Sequence, residues 1–147
     1  MSNLDKIKEL HATFGHPHPD RIDPREWTHK LRRLRLNLIL EEACELAQAY
    51  GFQLNYQLIP VREAVDVLGA ADASGDLEVV VLGNYVAMGL PAQEIFDEIH
   101  RSNMSKLGAD GKPLLREDGK FLKGPFYSPP KLTPILMRHY RHLDKGE

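Results

Sequence analysis

The sequence predicts an all-α fold, most simply an antiparallel bundle of four main helices with an irregular C-terminal segment, assembled as a homo-oligomer. Three observations carry the fold class. Apolar residues recur at spacings of three and four along most of the chain before Gly108. Glycine and proline fall between those stretches, where helices stop. The one β-prone run, Val79-Val80-Val81, sits in an apolar stretch that continues past strand length without turn residues.

The elements follow in order. Leu4, Ile7, Leu10 and Phe14 place a short helix over residues 3–15, stopped by Gly15 and the His16-Pro17-His18-Pro19 run. Asp23 as cap, Pro24 at the first helical position and Glu26 three after the cap predict a second helix. Its pattern runs unbroken to Tyr50, with Gly51 as the natural C′ residue. Residues 52–60 connect it to a third helix, predicted from Val61 to Met88. Pro91 opens a fourth, roughly 91–107, closed by Gly108. Asp110-Gly111 and Asp118-Gly119 then flank Leu114-Leu115-Arg116, which predicts a small hairpin or ordered loop. Lys123-Gly124-Pro125 and Pro129-Pro130 exclude helix there, and Thr133-Pro134 starts a last short helix to about Leu143. The reading is one domain over residues 1–147, with a core at 24–107 and an extension at 108–147.

Composition excludes several classes. The chain has 147 residues, 42% hydrophobic and 27% charged, enough for one ordinary core. Nineteen Lys and Arg against 21 Asp and Glu leave a formal charge of −2, which speaks against nucleic acid as a partner. No apolar run approaches the roughly 18 residues of a membrane span, and the start, Met-Ser-Asn-Leu-Asp-Lys, lacks a signal-peptide pattern. The single cysteine, Cys44, cannot form an internal disulfide and suits a reducing cytoplasm.

The chemistry is written in acids where leucines are expected. Trp27, Leu31, Leu34 and Leu38 form a stripe about 60° wide on the second helix, and Glu41, Glu42 and Glu45 continue it. Leu36, Leu40, Ala43 and Ala47 form a second apolar stripe, so the helix is expected to be buried on two faces. Buried carboxylates need cations. On the third helix Asp72 and Asp76 stand one turn apart, among Gly69, Ala73, Gly83 and Ala87, whose small side chains are expected to leave a cavity. Five carboxylates make an all-oxygen site for hard ions, Mg²⁺ or Mn²⁺. On the fourth helix Asn103 and Lys106 extend the stripe of Ile95 and Ile99, and Arg35 lies two turns before Glu42. An EExxE alone is ordinarily a solvated face; the apolar stripe leading into it, and the paired acids that follow, point instead to catalysis.

Together Glu41-Glu42-Ala43-Cys44-Glu45, the acidic third helix, and Phe96-Asp97-Glu98-Ile99-His100-Arg101-Ser102-Asn103-Met104-Ser105-Lys106-Leu107-Gly108 resemble the MazG-like all-α nucleoside triphosphate pyrophosphohydrolases, among which are the phosphoribosyl-ATP pyrophosphohydrolases. The resemblance runs over roughly residues 31–130. It implies hydrolysis of a (d)NTP between the α- and β-phosphates, giving a monophosphate and pyrophosphate, with two or more Mg²⁺ or Mn²⁺ ions. It matches Glu41, Glu42, Glu45 and Asp76 to the metal-binding acids, so that Glu42, Glu45, Asp72 and Asp76 are expected to hold the ions; Glu41 or Glu42, where not fully used as a ligand, is then placed to position the water that attacks the α-phosphorus. It matches Asn103 and Lys106 to the phosphates, and Arg35, by its place on the second helix, is expected to play the same part. The family pattern has a glutamate three before Asp76, where this chain has Ala73, and Asp72 replaces it as in a DAxxD variant. Glu63 and Asp66 spell ExxD but precede the aligned segment and read as a surface pair.

The resemblance also implies homodimers or dimers of dimers, and the second apolar stripe argues for them separately. Asn84 is the candidate for reading the base, with a lean to a deoxypurine such as dGTP because Gly75, Gly83 and Ala87 leave room. Two alternatives stand beside this: phosphoribosyl-ATP hydrolysis, and a non-catalytic nucleotide-binding module. The histidines, among them His16, His18, His139 and His142, show no ligand spacing and read as surface groups. Lys30, Arg32, Arg33 and Arg35 read as scattered around the helix axis.

Overall fold

A computed structural model describes residues 1–19, 23–61, 64–117 and 119–139. Its named elements are all helical: α1 (Asn3–Phe14), a short 3-10 turn (Pro24–Glu26), α2 (His29–Ala49), α3 (Val67–Ala87), α4 (Ala92–Met104) and α5 (Leu132–His139). The all-α class is as expected. The chain divides into two compact units, Met1–Pro19 with Ala73–Glu147, and Asp20–Asp72, so the boundary falls inside α3.

In the first unit α4 packs against α1 and α5. Ser2 caps α1 in a reciprocal box with Asp5, and Gly15 ends it at φ 70°. Leu10, Phe14 and Ile95 are its buried apolar residues, and Phe14 stacks on Phe121 with ring centroids 4.3 Å apart. His16, read from the sequence as a surface group, is buried. It lies 4.6 Å from the Phe121 ring, with Nε2 2.9 Å from the Gly119 carbonyl oxygen. Polar pairs flank this core: Lys6 bonds Asp97, and Gln93 donates to Asn3 and to Asp97.

The predicted hairpin forms as a single antiparallel bridge, Leu115 to Phe121, supported by the Leu122 amide on the Leu114 carbonyl. Asp118 of that turn, Glu63, His142 and the expected end of the last helix near Leu143 lie outside the described residues.

In the second unit the predicted single helix from Pro24 to Tyr50 is broken. The Asp23 carboxylate is taken by the Arg25 amide and guanidinium, so it closes a 3-10 turn and no capping box with Glu26 forms. Thr28 then caps α2 through the Leu31 amide, 3.1 Å away. Two competing caps within six residues split what periodicity alone reads as continuous. At the other end Gly51, at φ 83°, closes α2 with the Phe52 amide on the Ala47 carbonyl, as expected for a C′ glycine.

The third helix starts six residues later than predicted. Asp66, expected to be a surface partner of Glu63, instead accepts the Gly69 amide at 2.9 Å and so holds the first turn of α3. Val79, Val80, Val81 and Leu82 are helical, as predicted, and they are 67, 62, 52 and 48% exposed. Successive residues turn by about 100°, so these four cover most of the helix circumference with apolar surface left open to solvent.

Candidate active site

α2 carries Arg35, Glu41, Glu42 and Glu45. Glu41 is half-buried; Arg35, Glu42 and Glu45 are exposed. The Trp27, Leu31, Leu34, Leu38 stripe leading to them is half-buried, but Leu36, Ile39 and Leu46 are open to solvent. The expected burial of the glutamates on a helix covered on two faces is therefore not met within this unit. Among its described residues none supplies the second cover.

α3 carries Asp72 and Asp76, both exposed, and Asn84, half-buried in its last turn. Residues 68–83 are all exposed, so the small face around Gly75 and Gly83 lines no cavity within a unit, contrary to expectation. Neither glycine has any atom within 4 Å of where a Cβ would stand.

Among the described residues Glu42, Glu45, Asp72 and Asp76 have no hydrogen-bond or ion-pair partner. The donor set is carboxylate oxygen throughout, which fits a hard divalent ion. Within the described residues of either unit, no three His, Cys, Asp or Glu side chains are grouped closely enough to hold an ion.

α4 is built in more detail. Its Glu98, Arg101, Ser102 and Ser105 stand at helical spacing and clip residues 124–131 along one side. The Lys131 amide donates to Glu98 at 2.6 Å, Arg101 donates to the Pro129 carbonyl, and buried Ser102 donates to the Ser128 carbonyl at 2.9 Å. The Ser128 amide returns a bond to Ser105 Oγ at 2.9 Å. Beyond the helix end the Gly124 amide donates to the Lys106 carbonyl. A Cβ on Gly124 would stand 1.9 Å from the Leu107 carbonyl oxygen, so only glycine fits this approach. Asn103 and Lys106, both half-buried, are thus held at the C-terminal end of α4 by a segment that proline content alone marks as non-helical.

The acids of α4 serve this scaffold. The Arg101 guanidinium and the Lys131 amide hold the Glu98 carboxyl down to about 2. Lys6 and then Gln93 lower Asp97, and Arg138 and then His139 lower Glu94. Sequence reading assigned these residues no role, although Glu98, Arg101, Ser102 and Ser105 already showed helical spacing.

The sequence profile of the family described as phosphoribosyl-ATP pyrophosphohydrolase matches residues 7–103. The chain belongs to that family. The match takes in α2, α3 and nearly all of α4, with every predicted acid, and ends before the clipped segment. A candidate NTP pyrophosphohydrolase from Exiguobacterium sp. 255-15, known from its crystal structure, is similar over 95% of this chain and 94% of its own, at 28% identity and a TM-score of 0.55. No curated protein sequence matches. The chain is accordingly a hydrolase acting on the pyrophosphate bonds of nucleotides. Among the described residues, no single helix is long and apolar enough to cross a membrane.

Proposed function

We propose that the protein is a metal-dependent nucleoside triphosphate pyrophosphohydrolase, converting a (d)NTP and water to the (d)NMP and pyrophosphate. The observation that carries this is the pattern of exposure on α2 and α3. The two helices that present unpartnered carboxylates in a pyrophosphohydrolase family also leave several large apolar side chains open each, Leu36, Ile39 and Leu46 on α2 and Leu77 with Val79 to Leu82 on α3. Acids and apolar surface need cover together, and the cover proposed is a second copy of the chain, as a homodimer or dimer of dimers.

Glu42, Glu45, Asp72 and Asp76 would hold two or more Mg²⁺ or Mn²⁺ ions, which supply charge neutralisation and a more acidic bound water. Glu41 or Glu42, whichever is not fully used as a ligand, would orient the attacking water and take its proton. Lys106, Asn103 and Arg35 hold phosphate oxygens as charge gathers on the leaving pyrophosphate. Asn84 offers both a donor and an acceptor to a base edge, favouring a deoxypurine such as dGTP.

Phosphoribosyl-ATP is the second reading, favoured by the family that matches residues 7–103. The segment clipped along α4 lies outside those residues. The test is a panel of NTPs, dNTPs and phosphoribosyl-ATP with Mg²⁺ or Mn²⁺, products separated by chromatography. The proposal expects monophosphate and pyrophosphate from a (d)NTP, fastest with dGTP or dATP, and a smaller purine preference in Asn84→Ala. Turnover of phosphoribosyl-ATP alone selects the second reading. Saturable binding without turnover of any of them selects a nucleotide-binding module.

A further inference from the structure

A cavity of about 170 Å³ opens in the second unit, between the first turns of α2 and the returning chain at residues 58–60. Its polar wall is His29, Arg32 and Arg33; its apolar wall is Leu36, Leu58, Ile59 and Pro60. Positions 29, 32, 33 and 36 are at i, i+3, i+4 and i+7, so a helix brings them to one side. Lys30 and Arg35 fall off this side, so Lys30, Arg32, Arg33 and Arg35 taken together are scattered around the axis while Arg32 and Arg33 share a side with His29.

Three features make this a site for an anion. Arg32 Nε is shut off from solvent and has no hydrogen-bond partner among the described residues. A buried guanidinium N–H left unpaired is unfavourable, and an oxyanion in the cavity would satisfy it. No acidic side chain lines the cavity, and Arg32, Arg33 and His29 are in no ion pair among the described residues. The site is also open to an incoming anion, since Leu36 and Ile59 in its wall are 49 and 67% exposed.

We propose that this cavity binds a phosphate-type oxyanion, inorganic phosphate or pyrophosphate, apart from the acids of α2. Guanidinium groups present planar N–H forks that suit phosphate oxygens, and two of them line this cavity. The volume lies below the roughly 300 Å³ at which ligand-sized pockets begin, so it takes a phosphate group or two and no whole nucleotide. Arg32 precedes Glu41 by nine positions, about 13 Å along the helix axis, too far for one bound phosphate to touch both. The inference rests on the cavity and does not need the hydrolase reading.

The test is calorimetric titration of the full chain with sodium phosphate and with sodium pyrophosphate, in EDTA so that no metal can hold an anion at the acids. Wild type is expected to bind. Arg32→Gln/Arg33→Gln is expected to bind at least tenfold more weakly, and Glu42→Gln as wild type does. Amide shifts in the wild type, which need no variant to fold, are expected at residues 29–33, 58 and 59. Tighter binding of pyrophosphate marks the site as one that retains the reaction product; equal binding of phosphate marks it as a site for free phosphate. Absence of binding to wild type, an unchanged affinity in the arginine variant, loss of binding in Glu42→Gln, or shifts elsewhere would each overturn the proposal.

Discussion

Gly124→Ala adds one methyl group at the point where the C-terminal segment meets the end of α4. The new Cβ would lie 1.9 Å from the Leu107 carbonyl oxygen, 2.6 Å from its carbon and 3.1 Å from the Gly108 Cα. All three are backbone atoms, so no side-chain rotation relieves the overlap. A carbon–oxygen contact needs something over 3 Å, so the segment must retreat by more than an ångström, and the Gly124 amide then loses the Lys106 carbonyl. Overpacking costs about 1–3 kcal/mol and a lost backbone hydrogen bond about 1 kcal/mol, or about 2–4 kcal/mol together. For a chain of this length each kcal/mol lowers Tm by about 2–4 °C, so the expected fall is roughly 5–15 °C. Gly75→Ala is the control. It sits mid-helix in α3 with open space at the Cβ position, and in a single chain it is expected to gain about 0.5–1 kcal/mol. Thermal denaturation followed by circular dichroism measures both. A Gly124→Ala protein within 1 °C of wild type would show that the segment does not close on α4 as described.

Three further outcomes are expected. Glu98 is held at about 2 in the folded chain against an ordinary 4.5, so its stabilising contacts are complete above pH 4.5 and are lost as pH falls towards 2; Glu98→Gln should flatten the change in Tm between pH 5 and pH 3, and an unchanged slope would remove Glu98 from the clip. Glu42→Gln and Asp76→Asn should each reduce turnover by at least about a hundredfold while the circular dichroism spectrum is kept, because each would remove a charge of the proposed metal site without changing shape; wild-type turnover in either would place the metal site elsewhere. Val80→Asp, on an exposed apolar face, should convert an oligomer to monomer by light scattering, and a wild type that is monomeric at micromolar concentration would defeat the proposed assembly.

Much of the helical framework was legible because caps and periodicity are local. Gly15, Gly51 and Gly89 all take positive φ at helix ends, and the valine run of α3 is helical because nothing in it breaks a helix. What failed was competition between signals of similar strength. Asp23 and Thr28 both cap, and a sequence does not say that the second restarts the helix. Asp66 reads as an acid, yet its carboxylate holds a helix start. The acids of α2 and α3 could be chosen because they interrupt apolar stripes. Their burial could not be, since it depends on what covers those helices, and among the described residues neither helix is covered within its own unit. The arginine-lined cavity escaped notice because its other wall, residues 58–60, comes from a connection with no periodicity to read.

On the function proposed for this protein, exposed carboxylates on α2 and α3 run a metal-dependent hydrolysis that leaves pyrophosphate intact. The most direct measurement is product stoichiometry from dGTP, taken with Mg²⁺ or Mn²⁺, with EDTA, and with Glu42→Gln. The prediction is one pyrophosphate per dGMP with metal, and neither product in EDTA or in the variant. Orthophosphate with dGDP, or undiminished turnover in EDTA or in Glu42→Gln, would contradict it.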